Sequence, residues 1–150
     1  MTDTANAGST QVSVLIGSPV ARVAPDATLH EVADALVAAG VGALVVSNGA
    51  SDGAAGIVSE RDIVREAARD ERLFGRTVGE IMTRDLVVGV PEDDLRAVRD
   101  TMTERRIRHL PVVAEGRLVG IVSIGDIVKA ERDQYLGEVD TLQTQVGFRP

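Results

Sequence analysis

A chain of 150 residues, 44% hydrophobic and 26% charged, is long enough to bury a sizeable core without covalent staples. It has no cysteine, which excludes disulfides and thiolate metal sites and makes a cytoplasmic setting the default expectation. A net charge of −7, with no tryptophan, one tyrosine and two phenylalanines, speaks against nucleic acid and anionic membrane as partners, because both charge attraction and stacking platforms are missing.

In chain order, residues 1–11 read as a polar N-terminal tail without the basic and apolar regions of a signal peptide. No apolar run approaches the ~20 residues that span a bilayer. A first unit then runs over residues 12–70. It opens with an apolar strand expected at Val12–Ile16 and a loop to Thr28. Thr28 and Glu31 have the spacing of a capping box, and Leu29, Val32, Ala33, Leu36 and Val37 form the apolar stripe of the helix that follows. Two short strands, Ala43–Val46 and Gly56–Val58, flank a glycine-rich turn and lead into a second helix over Glu60–Ala68.

Residues 71–80 are a charged, glycine-punctuated linker, with one helical turn expected around Val78–Met82. The second unit, residues 81–133, runs in parallel with the first. A strand is expected near Leu86–Val88, a helix from Asp94 with Leu95, Val98 and Met102 facing inward, strands at His109–Val113 and Leu118–Val122, and a helix from Ile124. Residues 134–150 form a C-terminal helical tail with Leu136, Val139, Leu142 and Val146 on one face; it either lies back on its own domain or helps to join two chains.

The two units are copies of one another. VAPDATLHEV (Val23–Val32) matches GVPEDDLRAV (Gly89–Val98) at a shift of 66 residues, GALVV from Gly42 matches RHLPV from Arg108 at the same shift, and GIVSERDIV from Gly56 matches GIVSIGDIV from Gly120 at 64. The two residues lost fall in the turn between strands, where length changes are tolerated. Neither copy of roughly 60 residues buries enough surface alone, so the pair is expected to pack face to face with pseudo-twofold symmetry around a shared core, giving an α+β fold.

In GIVSxxD a buried strand ends at a serine and a helix begins. Ser-x-x-Asp is a helix-capping pattern that needs no ligand. Its duplication adds a second meaning, since two such junctions brought together create a cleft lined by helix N-termini that favours an anion. An ionised aspartate there accepts from hydroxyl donors such as those of a ribose, a serine reaches sugar or phosphate oxygens, and Arg108 and His109 supply positive charge and donors. A nucleoside phosphate matches that mixture.

These residues, with IRHLPVV and the APDATL and VPEDDL openings, resemble the two halves of a CBS-domain pair, or Bateman module, over about residues 12–133. The resemblance implies a β-α-β-β-α unit in duplicate and two clefts binding an adenosine nucleotide (AMP, ADP or ATP), with NAD or S-adenosylmethionine as alternatives. It implies a regulatory protein, commonly a homodimer, that signals energy or metabolite state to a protein partner and does no chemistry itself; a dimerisation scaffold with vestigial clefts is the other reading. Carried onto this chain, one cleft would use Asp126 for the ribose, Ser123 beside it, Arg108 and His109 for phosphate, and Gly17, Ser18, Val20 and Ala21 around the adenine. The other would use Asp62 and Ser59 with Thr83, Arg84, Leu86 and Val87.

Because Gly42 and Ala43 match Arg108 and His109, the Asp126 cleft is expected to be the main site and the Asp62 cleft the weaker. Arg61 and Arg65 lie at the Asp62 helix start, where arginines are more often solvated charges than ligands. No catalytic residues, catalytic cofactor or metal site are expected. The only two histidines are far apart, His30 reads as a solvated helix-start residue, and neither a serine elbow nor a phosphate-binding loop with its lysine is present.

Overall fold

A computed structural model describes residues 10–16, 19–49 and 53–145, with the side chains of 140–145 left out. The elements run β1 (Arg22–Val23), α1 (Leu29–Ala39), β2 (Ala43–Val46), β3 (Gly56–Ser59), α2 (Glu60–Arg69), α3 (Val78–Ile81), α4 (Leu95–Arg105), β4 (His109–Ala114), β5 (Arg117–Ser123) and α5 (Ile124–Gln145).

Local chemistry accounts for the helix boundaries. Thr28 Oγ1 accepts from the Glu31 N–H (3.2 Å) at the start of α1, and Asp94 Oδ2 accepts from the Ala97 N–H (3.1 Å) at the start of α4. Leu29, Val32 and Leu36 turn one face of α1 inward, as Leu95, Val98 and Met102 do for α4. β2 is buried at all four positions, as befits a strand covered on both sides. It pairs in parallel with β1 and antiparallel with β3. In the second unit β4 and β5 form an antiparallel hairpin whose turn, Glu115–Gly116, has both residues at positive φ (53° and 74°).

Two expected strands are absent. Val12–Leu15 is a 3-10 helix rather than a strand, and Leu86–Val88 takes no strand assignment; an isolated parallel bridge between Gly89 and Val112 stands in that place. Short apolar runs do not distinguish strand from helix by periodicity, so tertiary packing decided both cases.

That packing exchanges the leading segments of the two units. Val12, fully buried, belongs to the core of Leu95, Met102 and Val122, with Leu15 and Ile16 packed against it. Val78 and Met82 belong in turn to the core of Leu29, Leu44 and Val58. Matching bridges hold the exchange: Gln11 pairs with Asp94 and Thr28 with Thr77, positions related by the same 66-residue shift. Pseudo-twofold symmetry is therefore built into the core. α5 continues as one 22-residue helix, tied to α4 by an Arg99–Glu131 ion pair. Its Tyr135 and Leu136 are more than half exposed, so at Leu136 the expected apolar stripe does not lie back on the domain; the side chain of Leu142, and all of Val146, fall outside the described residues.

Candidate functional site

Both strand-to-helix junctions form the capping geometry that their spacing implied. At the first, the Ser59 N–H and hydroxyl donate to Asp62 Oδ2 (2.8 and 3.1 Å), and the Asp62 N–H donates to Ser59 Oγ (3.3 Å). At the second, the Ser123 N–H donates to Asp126 Oδ2 (3.2 Å) and the Asp126 N–H donates to Ser123 Oγ (3.0 Å). Capping leaves the second oxygen of each carboxylate available. Asp62 Oδ1 accepts only a long bond from Arg65 (3.4 Å), so an aspartate in this motif can cap its helix and still accept from a ligand hydroxyl.

The two junctions have different surroundings. A cavity of about 610 Å3 opens over Ser59 and Asp62, a size suited to a small-molecule ligand. α2 contributes Glu60, Arg61, Val64 and Arg65 to its wall, and β3 contributes Ile57. Thr83 closes one side; its backbone is fastened to Ile57 by two hydrogen bonds (3.0 and 2.9 Å). The opposite wall is the segment Arg106–Ile107–Arg108–His109 from the second unit.

Arg108 and His109 thus share a cavity with Asp62, whereas the sequence had grouped them with Asp126. The backbone explains both associations. The Arg108 carbonyl accepts from the Ile124 N–H (2.9 Å), so the main chain lies beside the start of α5, just as Gly42 lies beside α2 through the Glu60 N–H (2.9 Å). The His109 side chain, however, reaches across the seam between units: its Nε2 lies 3.3 Å from where a Cβ on Gly42 would stand, as does a carboxylate oxygen of Glu60. Burial pushes the His109 imidazole below its ordinary 6.5, Glu60 and Asp126 oppose that shift, Arg108 reinforces it, and Asp62 opposes it more weakly.

Of the other expected residues, Arg84, Leu86 and Val87 lie off this cavity. Arg84 donates to the Gly79 carbonyl (2.8 Å), and Val87 packs on the second core. Ala21 packs on the first core with its carbonyl accepting from the Val45 N–H, Val20 is half-buried, and Gly17 and Ser18 lie outside the described residues. Asp126 is exposed and Ser123 half-buried. Arg106 had not been anticipated. The 66-residue shift that pairs Gly42 with Arg108 also pairs Gly40 with Arg106, and extending the match by two residues would have drawn it out. Among the described residues no cluster of three or more histidine, aspartate or glutamate side chains is arranged to hold a metal ion, and no helix is long and apolar enough to cross a membrane.

A family model described as CBS domain matches residues 12–69 and again 78–133. The chain belongs to the CBS-domain family. Its fold is that of a tandem CBS pair, and the CBS domain-containing protein from Agrobacterium tumefaciens superposes with a TM-score of 0.77 at 36% identity, over 81% of this chain and 99% of that one. The mitochondrial CBS domain-containing protein CBSX3 of Arabidopsis thaliana is 35% identical over 125 residues, 81% of this chain but 61% of its own length, so the chain spans less than two thirds of that relative. A CBS domain pair solved in complex with 5-methylthioadenosine and S-adenosyl-L-methionine superposes with a TM-score of 0.73 at 25% identity, covering 81% of this chain and 98% of that one. In this CBS pair the two repeats have kept the capping motif in common and differ in the charge placed opposite it.

Proposed function

We propose that this CBS pair is a non-catalytic regulatory module that binds an adenosine nucleotide of the AMP, ADP or ATP type between its repeats and signals the occupancy to a protein partner. The observation that carries this is the cavity in which one repeat offers Asp62 and Ser59 and the other offers Arg108 and His109. A carboxylate oxygen with acceptor capacity suits ribose hydroxyls, a guanidinium suits phosphate, and Ile57, Val64 and Ile107 give a base apolar walls. The CBS pair bound to two adenosyl compounds supports the adenosine part of the reading. We take the Asp62 cleft as the principal site and the Asp126 cleft as secondary, because the cationic wall lies on the former. We also take the protein to act as a homodimer, in keeping with the exposed Val37 on α1.

Thermal unfolding with AMP, ADP, ATP, NAD and S-adenosylmethionine tests the reading. A ligand at 100 times its dissociation constant stabilises by about 2.7 kcal/mol. Asp62→Ala and Arg108→Ala should each weaken nucleotide binding by roughly tenfold or more, as expected for loss of a charge-assisted bond. Asp126→Ala is the matched comparison, since it removes an equivalent cap outside the principal site and should weaken nucleotide binding less than Asp62→Ala does. No shift with any of the five compounds would leave the dimerisation scaffold as the better account.

A further inference from the structure

The duplication distributes charge unevenly between the clefts. Arg106, Arg108 and His109 occupy positions held in the first repeat by Gly40, Gly42 and Ala43, and Arg61 and Arg65 correspond to Gly125 and Lys129 in the second. All five basic residues line the Asp62 cavity, against two acids, Glu60 and Asp62. Arg65 makes a long contact with Asp62 (3.4 Å), and the guanidinium groups of Arg61, Arg106 and Arg108 form no ion pair among the described residues. Three uncompensated guanidinium groups on one cavity of a chain with net charge −7 form a local site for a polyanion.

Backbone strain at Arg106 is a second, independent observation. At the end of α1, Gly40 takes the left-handed conformation (φ 64°, ψ 35°), where the lack of a Cβ suits glycine. At the end of α4 the matching residue is Arg106, held at φ 57°, ψ 39°. Helix termination alone would favour glycine there too. Arg106 is part of the cavity wall, which connects the strained residue to a binding role.

Resting on the adenosine-nucleotide reading, we propose that the Asp62 cavity selects for the length of the phosphate chain. It takes a nucleoside di- or triphosphate in preference to a monophosphate or to neutral and cationic adenosyl compounds, with Arg106 as a specificity-determining residue beside Arg61 and Arg108. Each added phosphate brings further negative charge and acceptor oxygens against a guanidinium fork, so selectivity lies in phosphate number.

Calorimetric titration of the full chain with adenosine, AMP, ADP, ATP, GTP and inorganic triphosphate tests this. Affinity should rise from AMP to ATP by about tenfold per phosphate and weaken with added salt most steeply for ATP. Arg106→Gly should lower ATP affinity by about tenfold, leave adenosine affinity unchanged, and raise the unfolding temperature because glycine relieves the left-handed backbone. That combination separates a ligand role from a structural one, since a merely structural arginine would gain stability without losing ATP. Equal affinity for AMP and ATP, or ATP binding untouched in a stabilised Arg106→Gly, overturns the selectivity and leaves the adenosine reading standing. Equal binding of ATP, GTP and inorganic triphosphate supports the polyanion site and overturns the adenosine reading, and absence of binding by all six overturns both.

Discussion

Adding one methyl group at Gly56 tests the architecture of the site directly. A Cβ there would stand 2.6 Å from Met82 Sδ, 2.8 Å from Met82 Cγ and 2.9 Å from the Thr83 carbonyl oxygen. The sulfur end of Met82 can swing aside, but Thr83 is backbone and is held to Ile57 by the two bonds already described. Gly56→Ala therefore forces the 82–83 segment outward. Overpacking costs about 1–3 kcal/mol and each weakened backbone bond about 0.5–1.5, offset by about 0.4–1 kcal/mol from stiffening the unfolded chain. With both bonds weakened, the midpoints of these terms give a net loss of about 3 kcal/mol, which for a chain of this length lowers the unfolding temperature by about 6–12 °C. Gly75→Ala is the control. Nothing lies within 4 Å of its added Cβ, and the change should be neutral or raise the midpoint slightly. Differential scanning calorimetry of the two variants decides the matter, and a Gly56→Ala midpoint within about 2 °C of Gly75→Ala would refute the packing argument.

Two further outcomes follow from the same geometry. Because burial lowers the His109 pKa below 6.5 in the folded state, the unfolded chain binds more protons there; stability should fall as pH drops through about 6.5 toward the folded value and should show no contribution above it. Urea midpoints at about pH 7.5 and 5.5 should therefore diverge more for wild type than for His109→Gln, and equal divergence would contradict the assignment. Val12→Ala, at a fully buried position taken from the start of the first repeat, should destabilise the second repeat's core by about 2 kcal/mol while unfolding remains one transition, because the exchanged segments interlock the two cores. Two resolved transitions in circular dichroism would show the repeats to be independent.

Interactions spanning three or four residues were legible in the chain itself. The Thr28–Glu31, Ser59–Asp62 and Ser123–Asp126 caps, the inward face of α4, that of α1 except for Val37, which is exposed, and both hairpins depend on spacing alone, and the duplicated GIVSxxD phrase announced a two-fold architecture. Which copy's surface meets which is not a local property. Aligning the repeats showed that Arg108 corresponds to Gly42, yet the packing across the pseudo-twofold seam puts Arg108 and His109 in the wall of the cavity that holds Asp62, while their own main chain borders the helix of Asp126. The same packing turned Val12–Leu15 into a 3-10 helix seated in the opposite core and set Arg106 on the wall of the cavity in a backbone conformation that its counterpart Gly40 adopts without strain. Spacing specifies each junction, whereas the contact between junctions arises only when both cores close, because burying apolar surface on both repeats at once leaves few ways for the two faces to meet.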